Sequence, residues 1–301
     1  MPLSGSVRYM GKSGAFAGTE STLGQTRRRR LLLTYPGFGC VFFFGRNRMV
    51  HFVGAGPGAP DLITLRGAAL LETADQVIYA GSLVNPALLE RCRADCRILN
   101  SAVMTLEEVI EAISAAETKG LTTVRLHTGD PSVYGAIREQ MDRLDELGIP
   151  YDVTPGVSSF CGAAAALRAE YSLPGVSQTL ILTRMEGRTP VPERERIRSL
   201  AQHGSSMAVF LSAGMLTELQ AELMKGAYTA ETPAALVYKA SWPEEKLIFC
   251  TVGTLAESAE KHGIHRTALV LVGEFLAGSR ERSRLYDPAF TTGYRKGTDE
   301  R

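Results

Sequence analysis

From residue 49 onward, short apolar and β-branched runs alternate with longer stretches in which apolar positions recur every three or four residues. Strands alternating with amphipathic helices make an α/β domain with a largely parallel sheet. Val50–Val53 reads as the first strand, 64–73 as a helix with Leu65, Ala68, Ala69 and Leu71 facing inward, and Gln76–Ala80 as the second strand. A helix around 86–92, a short strand near 97–99 and a helix over 105–118 follow, then a strand at Thr123–His127. The spacing of Ile137, Met141 and Leu144 predicts a helix over 134–147 that Gly148 ends. Tyr151–Val153 runs into Pro155-Gly156 and an Ala-rich helix.

Pro174-Gly175 breaks the pattern, and a second α/β unit is predicted to begin there. Its strands fall at 178–183, 207–212, 234–239, 246–252 and 267–273, with helices at 193–202, 215–225 and 254–262. The domain reading is therefore 49–170 and 171–278, flanked by a leader (1–48) and a charged tail (279–301) expected to stay mostly unpacked. The leader is Gly/Ser-rich, then basic at Arg27–Arg30, then apolar from Leu31 to Gly45. Pro36, Gly37 and Gly39 interrupt that apolar run, which is too short to span a bilayer as a helix and lacks a small-residue cleavage pattern. Met49 precedes the first strand, so the natural start is expected there, with 1–48 disordered or artefactual.

Charge narrows the functional classes. The net charge is +1, but residues 1–48 hold eight Lys/Arg and one acid, so the rest carries 25 basic against 31 acidic residues. That balance argues against a nucleic-acid surface. Cys40, Cys92, Cys96, Cys161 and Cys250 are odd in number and scattered, which argues against a disulfide framework or zinc site and suits a reducing compartment.

Three loops at strand ends hold the candidate chemistry. Gly54-Ala55-Gly56-Pro57-Gly58-Ala59 satisfies G-x-G-x-x-A, which admits a nicotinamide or flavin dinucleotide. Pro57 and Pro60, however, remove donors such a loop needs, and the second strand ends Tyr79-Ala80-Gly81-Ser82 without an acid for a ribose. Thr128-Gly129-Asp130-Pro131 follows the strand 123–127; Asp130 either binds a ligand amine or hydroxyl, or caps the next helix. In Pro155-Gly156-Val157-Ser158-Ser159 a serine caps the helix or turns its hydroxyl outward. Ligands in open parallel sheets sit beyond the carboxyl ends of strands, so the three loops should share one crevice.

Together, V-G-A-G-P-G-A-P-D-L-I-T-L-R-G at 53–67, H-T-G-D-P-S-V-Y-G at 127–135 and P-G-V-S-S at 155–159 resemble the tetrapyrrole methylase family. The resemblance covers about 49–276. It implies two α/β domains with S-adenosylmethionine bound in the cleft between them, a tetrapyrrole substrate, a cytoplasmic homodimer, and neither nucleic acid, membrane nor resident metal. The runs 182–192, 79–84 and 238–243 are similar to members that methylate C11 of precorrin-4 or cobalt-precorrin-4 in cobalamin synthesis, with E-G-R-T-P-V-P favouring the cobalt branch; Arg284–Asp287 resembles the cobalt-free one. Methylation of another corrin or uroporphyrinogen carbon is the alternative, and a nicotinamide oxidoreductase a distant one.

Position by position, the resemblance implies cofactor contacts at Pro57, Thr128, Gly129, Asp130, Val133, Ser158, Ser159, Leu211 and Ala240. Arg184, Arg188 and Lys239, with Thr183 and Thr189, are candidates to hold the substrate's carboxylates. The run 193–198 reads as a solvated helical face. Methyl transfer to an electron-rich macrocycle carbon needs positioning rather than a protein nucleophile, so no catalytic residue is assigned. His51, His203, His262 and His265 read as packing or surface residues, whereas His127 adjoins the second loop.

Overall fold

The computed structural model describes residues 31–34, 41–44, 49–81, 83–278 and 283–298. Contacts divide the chain into Met1–Arg46 and Asn47–Arg301. In the first unit, β1 (Leu31–Thr34) pairs antiparallel with β2 (Val41–Phe44), Leu31 opposite Phe44, a ladder the hydrophobic pattern did not predict. The remainder of the expected leader lies outside the described residues.

The second unit holds two five-stranded sheets. In the first, β3 (Val50–Gly54), β4 (Gln76–Tyr79), β5 (Arg97–Asn100), β6 (Thr123–His127) and β7 (Tyr151–Thr154) run in the order β5-β4-β6-β3-β7, every pairing parallel. Parallel strands need covered faces, and alternation along each strand supplies both covers. Val53 and Val77 pack with Leu71 of α1 (Leu65–Thr73) on one face. Phe52 and Ile78 pack on the other with Val109 and Ile113 of α2 (Leu106–Thr118) and Leu144 of α3 (Arg138–Leu147). Thr105 and Glu108 close a capping box at the start of α2.

Two helix readings around this first sheet need correction. In α1 the buried positions are Gly67 and Leu71, while Leu65 is 93% exposed and Ala69 is also exposed. With Thr64 as N-cap, the inward stripe runs through 67 and 71, one turn apart, and Leu65 falls on the far side. The predicted helix 134–147 begins only at Arg138. Tyr134 and Ala136 have φ of 56° and 50°, outside the right-handed helical region, and a Cβ on Gly135 would stand 2.1 Å from the Pro131 carbonyl oxygen. Gly148 ends α3 in the left-handed conformation, as predicted.

The second sheet has the order β11-β10-β12-β9-β8. β8 (Leu180–Arg184) and β9 (Ser206–Phe210) are parallel, while β10 (Pro233–Tyr238), β11 (Lys246–Thr251) and β12 (Ala268–Val272) join through antiparallel pairings. One face packs Met207, Val209, Leu236 and Val270 against Ile197 of α5 (Ile197–Leu200), Leu219 of α6 (Leu216–Leu223) and Leu255 of α7 (Leu255–Lys261). The other face packs Ala208, Ala235 and Leu271 against Ala163 of α4 (Ser159–Leu167), so this helix joins the second sheet's core although the sequence order puts it with the first. The predicted helix 193–202 is broken into a 3-10 turn, α5 and a second 3-10 turn, because Arg196 is extended (φ −62°, ψ 148°). The Arg/Glu run is thus not one helical face: Arg198 pairs with Glu193, and Arg196 turns a buried Nε to Glu186 outside the run. In the tail, Arg295 ties Leu285, Asp287 and Phe290 carbonyls into turns whose side chains are largely exposed.

Candidate functional site

At the carboxyl edge of the first sheet, three loops cross with almost no separation. A Cβ on Gly54 would stand 2.5 Å from the Gly156 Cα, and one on Gly156 would stand 2.1 Å from the Gly129 carbonyl oxygen. Only glycines fit where β3, β6 and β7 discharge their loops. Gly56 and Gly129 exchange backbone hydrogen bonds, Gly129 N–H to Gly56 O at 2.8 Å and Gly56 N–H to Gly129 O at 3.2 Å, with φ of 80° and 60°. The G-x-G-x-x-A segment therefore leads into this bridge and a 3-10 turn at Pro60–Leu62, and α1 starts only at Leu65. That is not the helix N-terminus a dinucleotide pyrophosphate requires, and the dinucleotide reading of this loop falls.

Asp130 is the strut between loops. One carboxylate oxygen accepts hydrogen bonds from the Ser132 N–H (2.8 Å) and the Ser132 hydroxyl, the other from the Gly156 N–H (2.9 Å). Burial pushes its pKa up, but the bonds from Ser132 and Gly156 outweigh this and hold it below the usual carboxylate value. It caps no helix, since the residues after it turn back on themselves. Ser158 stands at the N-cap position of α4 without making a side-chain cap bond, so its buried hydroxyl is not consumed by capping.

The second sheet meets these loops through its own strand ends. β12 runs opposite to β9 and β10, so the site receives the segments leaving β9 and β10 and the segment entering β12. The turn after β10 latches onto the glycine loop. Trp242 Nε1–H donates to Pro57 O (3.1 Å), the Ala59 N–H donates to the Ser241 hydroxyl (2.9 Å), and a Cβ on Gly58 would stand 2.0 Å from the Trp242 ring. The Tyr134 and Phe210 rings meet across the seam, tilted by 50° with centroids 5.3 Å apart.

Between the two sets of loops lies a cavity of about 350 Å³. Pro57, Thr128, Gly129, Asp130, Val133, Ser158, Ser159, Leu211 and Ala240 all line it. Lys239 lines it too, with its ammonium 3.1 Å from Glu244 and 5.0 Å from the Trp242 ring centroid. Thr183, Arg184, Arg188 and Thr189 do not. Arg184 donates to the carbonyls of Met185, Thr189 and Pro190, so its guanidinium shapes the 185–190 loop; Arg188 is exposed.

His265, Arg266 and Thr267 line the cavity and were missed, because a reading that follows strand exits overlooks a strand entering the site. Backbone strain marks the same place. Tyr134, Leu211, Lys239 and Thr267 line the cavity with positive φ, at 56°, 53°, 48° and 58°. A β-branched threonine in that region is costly and persists where the surroundings impose it.

The lining suits the cofactor implied by the sequence resemblance. Pro57, Leu83, Val133, Leu211, Ala240 and Leu269 offer apolar walls for a flat heterocycle, and the Ser158 hydroxyl and loop backbone offer a few polar contacts. Among the described residues no group of three or more His, Cys, Asp or Glu is placed to hold a metal ion.

Comparison with known proteins gives four further findings. The profile of the tetrapyrrole (corrin/porphyrin) methylases matches residues 49–256. The chain is 52% identical over 251 residues to the cobalt-precorrin-4 C(11)-methyltransferase of Methanocaldococcus jannaschii, spanning 83% of this chain and 97% of that one. It is similar to the X-ray structure of a cobalamin biosynthetic enzyme, cobalt precorrin-4 methyltransferase CbiF, at 43% identity and a TM-score of 0.74, covering 76% of this chain and 95% of the other. It is also similar to the uroporphyrin-III C-methyltransferase of Thermus thermophilus complexed with S-adenosylhomocysteine, at 25% identity and a TM-score of 0.65, covering 78% and 96%.

Proposed function

The chain belongs to the tetrapyrrole (corrin/porphyrin) methylase family, and from that premise we propose that it methylates C11 of cobalt-precorrin-4 in cobalamin biosynthesis, with S-adenosylmethionine as donor. The single observation that carries the reading is the seam cavity, with loops of both sheets around it, in a chain 52% identical to a cobalt-precorrin-4 C(11)-methyltransferase over nearly that enzyme's whole length. The 52% identity to a cobalt-named relative favours a macrocycle that already carries its metal, which is then part of the substrate.

When bound, S-adenosylmethionine supplies an electrophilic methyl on a sulfonium. The protein's part is to bind, orient and desolvate. Ser158, Ser159, Thr128 and the Gly129–Asp130 backbone hold the donor's polar portion, and Pro57, Val133, Leu211 and Ala240 enclose its heterocycle. Rigid loops matter because an in-line transfer needs the reacting carbon about 3–3.5 Å from the methyl, and the Asp130 strut and the Trp242 latch provide that rigidity. Lys239 and Arg266 line the cavity as cations facing a polyanionic substrate. Arg188 and Thr189 stand outside that lining, on the exposed loop whose carbonyls Arg184 holds. Cys92, Cys96, Cys161 and Cys250 are free thiols, which suits a cytoplasmic setting. A homodimer follows from the family resemblance, and sedimentation at two concentrations checks it.

S-adenosylhomocysteine at a hundred times its Kd should stabilise the fold by about 2.7 kcal/mol, seen as a rise in Tm, while NADH leaves Tm unchanged. Stabilisation by NADH instead would reinstate the oxidoreductase alternative.

A further inference from the structure

A second cavity, of about 270 Å³, adjoins the first and shares Leu83, Thr128 and Tyr134 with it. Arg125 and His127, alternate residues of the central strand β6, both line it. Arg125 is only 6% exposed, and its guanidinium donates to Gln140 Oε1 (2.9 Å) and to the Ile78 carbonyl (3.0 Å), both neutral acceptors. No carboxylate among the described residues lies within ion-pair distance of it. His127 is 3% exposed, and its Nε2 is buried with no hydrogen-bond partner. A buried charge and a buried polar atom are ordinarily paired within the protein. Here neither is complete, and both border one hollow beside the proposed methyl-transfer site.

We propose that this second cavity is a subsite for one carboxylate side chain of the macrocycle, with Arg125 supplying the charge and His127 a neutral N–H. The inference rests on the proposed function only in taking the substrate to be a polycarboxylate. Burial lowers the Arg125 pKa to about 10, so the guanidinium stays charged at neutral pH. Burial, reinforced by Arg125, lowers that of His127 to about 3, so the imidazole is neutral and can act as a hydrogen-bond donor without competing for the anion's proton. Glu139, the acid in the lining, is exposed on α3 and leaves the interior of the cavity to the cation. Gln140 holds Arg125 in place and is itself anchored by its amide N–H to the Ala136 carbonyl (3.0 Å).

The test compares Arg125→Gln, Arg125→Lys and His127→Leu with the wild type. Kinetics with cobalt-precorrin-4 are measured beside calorimetric binding of S-adenosylhomocysteine. Arg125→Gln should raise KM for the macrocycle about tenfold or more, the scale of one lost charged hydrogen bond, with the Kd of S-adenosylhomocysteine unchanged. Arg125→Lys should recover part of that loss, and His127→Leu should show a smaller rise. Because Arg125→Gln alters a buried side chain, the wild type is also assayed with free propionate, which should inhibit competitively against the macrocycle but not against S-adenosylmethionine. An active wild type with no competition by propionate, or a folded Arg125→Gln with unchanged macrocycle KM, overturns the subsite alone. A wild type that leaves the macrocycle unmethylated overturns the proposed function and the subsite with it.

Discussion

The two sheets bring their loops to one cavity by different means. In the parallel sheet, β3, β6 and β7 all end at the site, and their crowded exits are solved by removing side chains at Gly54, Gly129 and Gly156. In the mixed sheet β11 and β12 run opposite to the other strands, so the site is reached by two exits and one entrance, and ordinary residues are held there in left-handed geometry at Leu211, Lys239 and Thr267. The first half relies chiefly on close backbone approach, with Tyr134 its one left-handed non-glycine lining residue among those described, and the second relies on three such residues. Changes in the parallel half should therefore act on folding and binding together, whereas changes in the mixed half should separate the two.

The largest effect should come from Gly156→Ala. Its Cβ would meet the Gly129 carbonyl at 2.1 Å, backbone that cannot yield without parting the loops. Overpacking of this kind should cost about 3 kcal/mol of stability, read by urea denaturation, together with most of the S-adenosylhomocysteine binding. A variant of wild-type stability would mean the crossing is looser than described.

Asp130→Ala comes next. Losing the acceptor for the Gly156 N–H and for Ser132 should cost about 1.5 kcal/mol and weaken S-adenosylhomocysteine binding in calorimetry. The folded pKa of Asp130 is depressed, so its contribution is present above the unfolded value and lost as pH falls through the folded one. The difference in stability between wild type and Asp130→Ala should accordingly shrink below about pH 4. An undiminished gap in acid would exclude the carboxylate as its source.

Trp242→Phe removes the bond to Pro57 O while keeping a ring against Gly58, at a cost of about 1 kcal/mol. Thr267→Gly should go the other way. Relief of a left-handed threonine, worth about 1–2 kcal/mol, exceeds the entropic cost of glycine, about 0.5–1 kcal/mol. A net gain of roughly 0.5 kcal/mol with weakened ligand binding is the expected signature of strain held for function. A loss of stability would show that Thr267 packs better than its φ suggests.

Much of this arrangement was legible in the sequence, and the gaps have physical causes. β6 was placed residue for residue because Thr123–His127 is a continuous β-rich run bounded by turn signals. The nine positions implied by the family resemblance line one cavity; seven lie on loops whose glycines and prolines carry a local signal, whereas Leu211 and Ala240 came from the resemblance alone. The start of α3 was misread because Tyr134 and Ala136 are compatible with a helix by composition, and only the fold-back onto Pro131 forbids one. Asp130 was read as a ligand contact or a helix cap, and its role as a strut depends on Gly156, a partner on another loop. Arg184 looked like a free cation, yet the loop it binds closes around it only in three dimensions. Thr267 and Arg266 carry no motif, since an antiparallel entrance to a site has no strand-exit signature.

The central claim is that the cavity between these two sets of loops directs a methyl group to one ring carbon. Incubation with S-adenosylmethionine carrying a carbon-13 methyl and with cobalt-precorrin-4, followed by carbon-13 NMR of the isolated product, tests it most directly. A single new labelled methyl assigned to C11 is the predicted result. Label at another ring carbon, or no label transferred by a protein that binds S-adenosylhomocysteine, would contradict it.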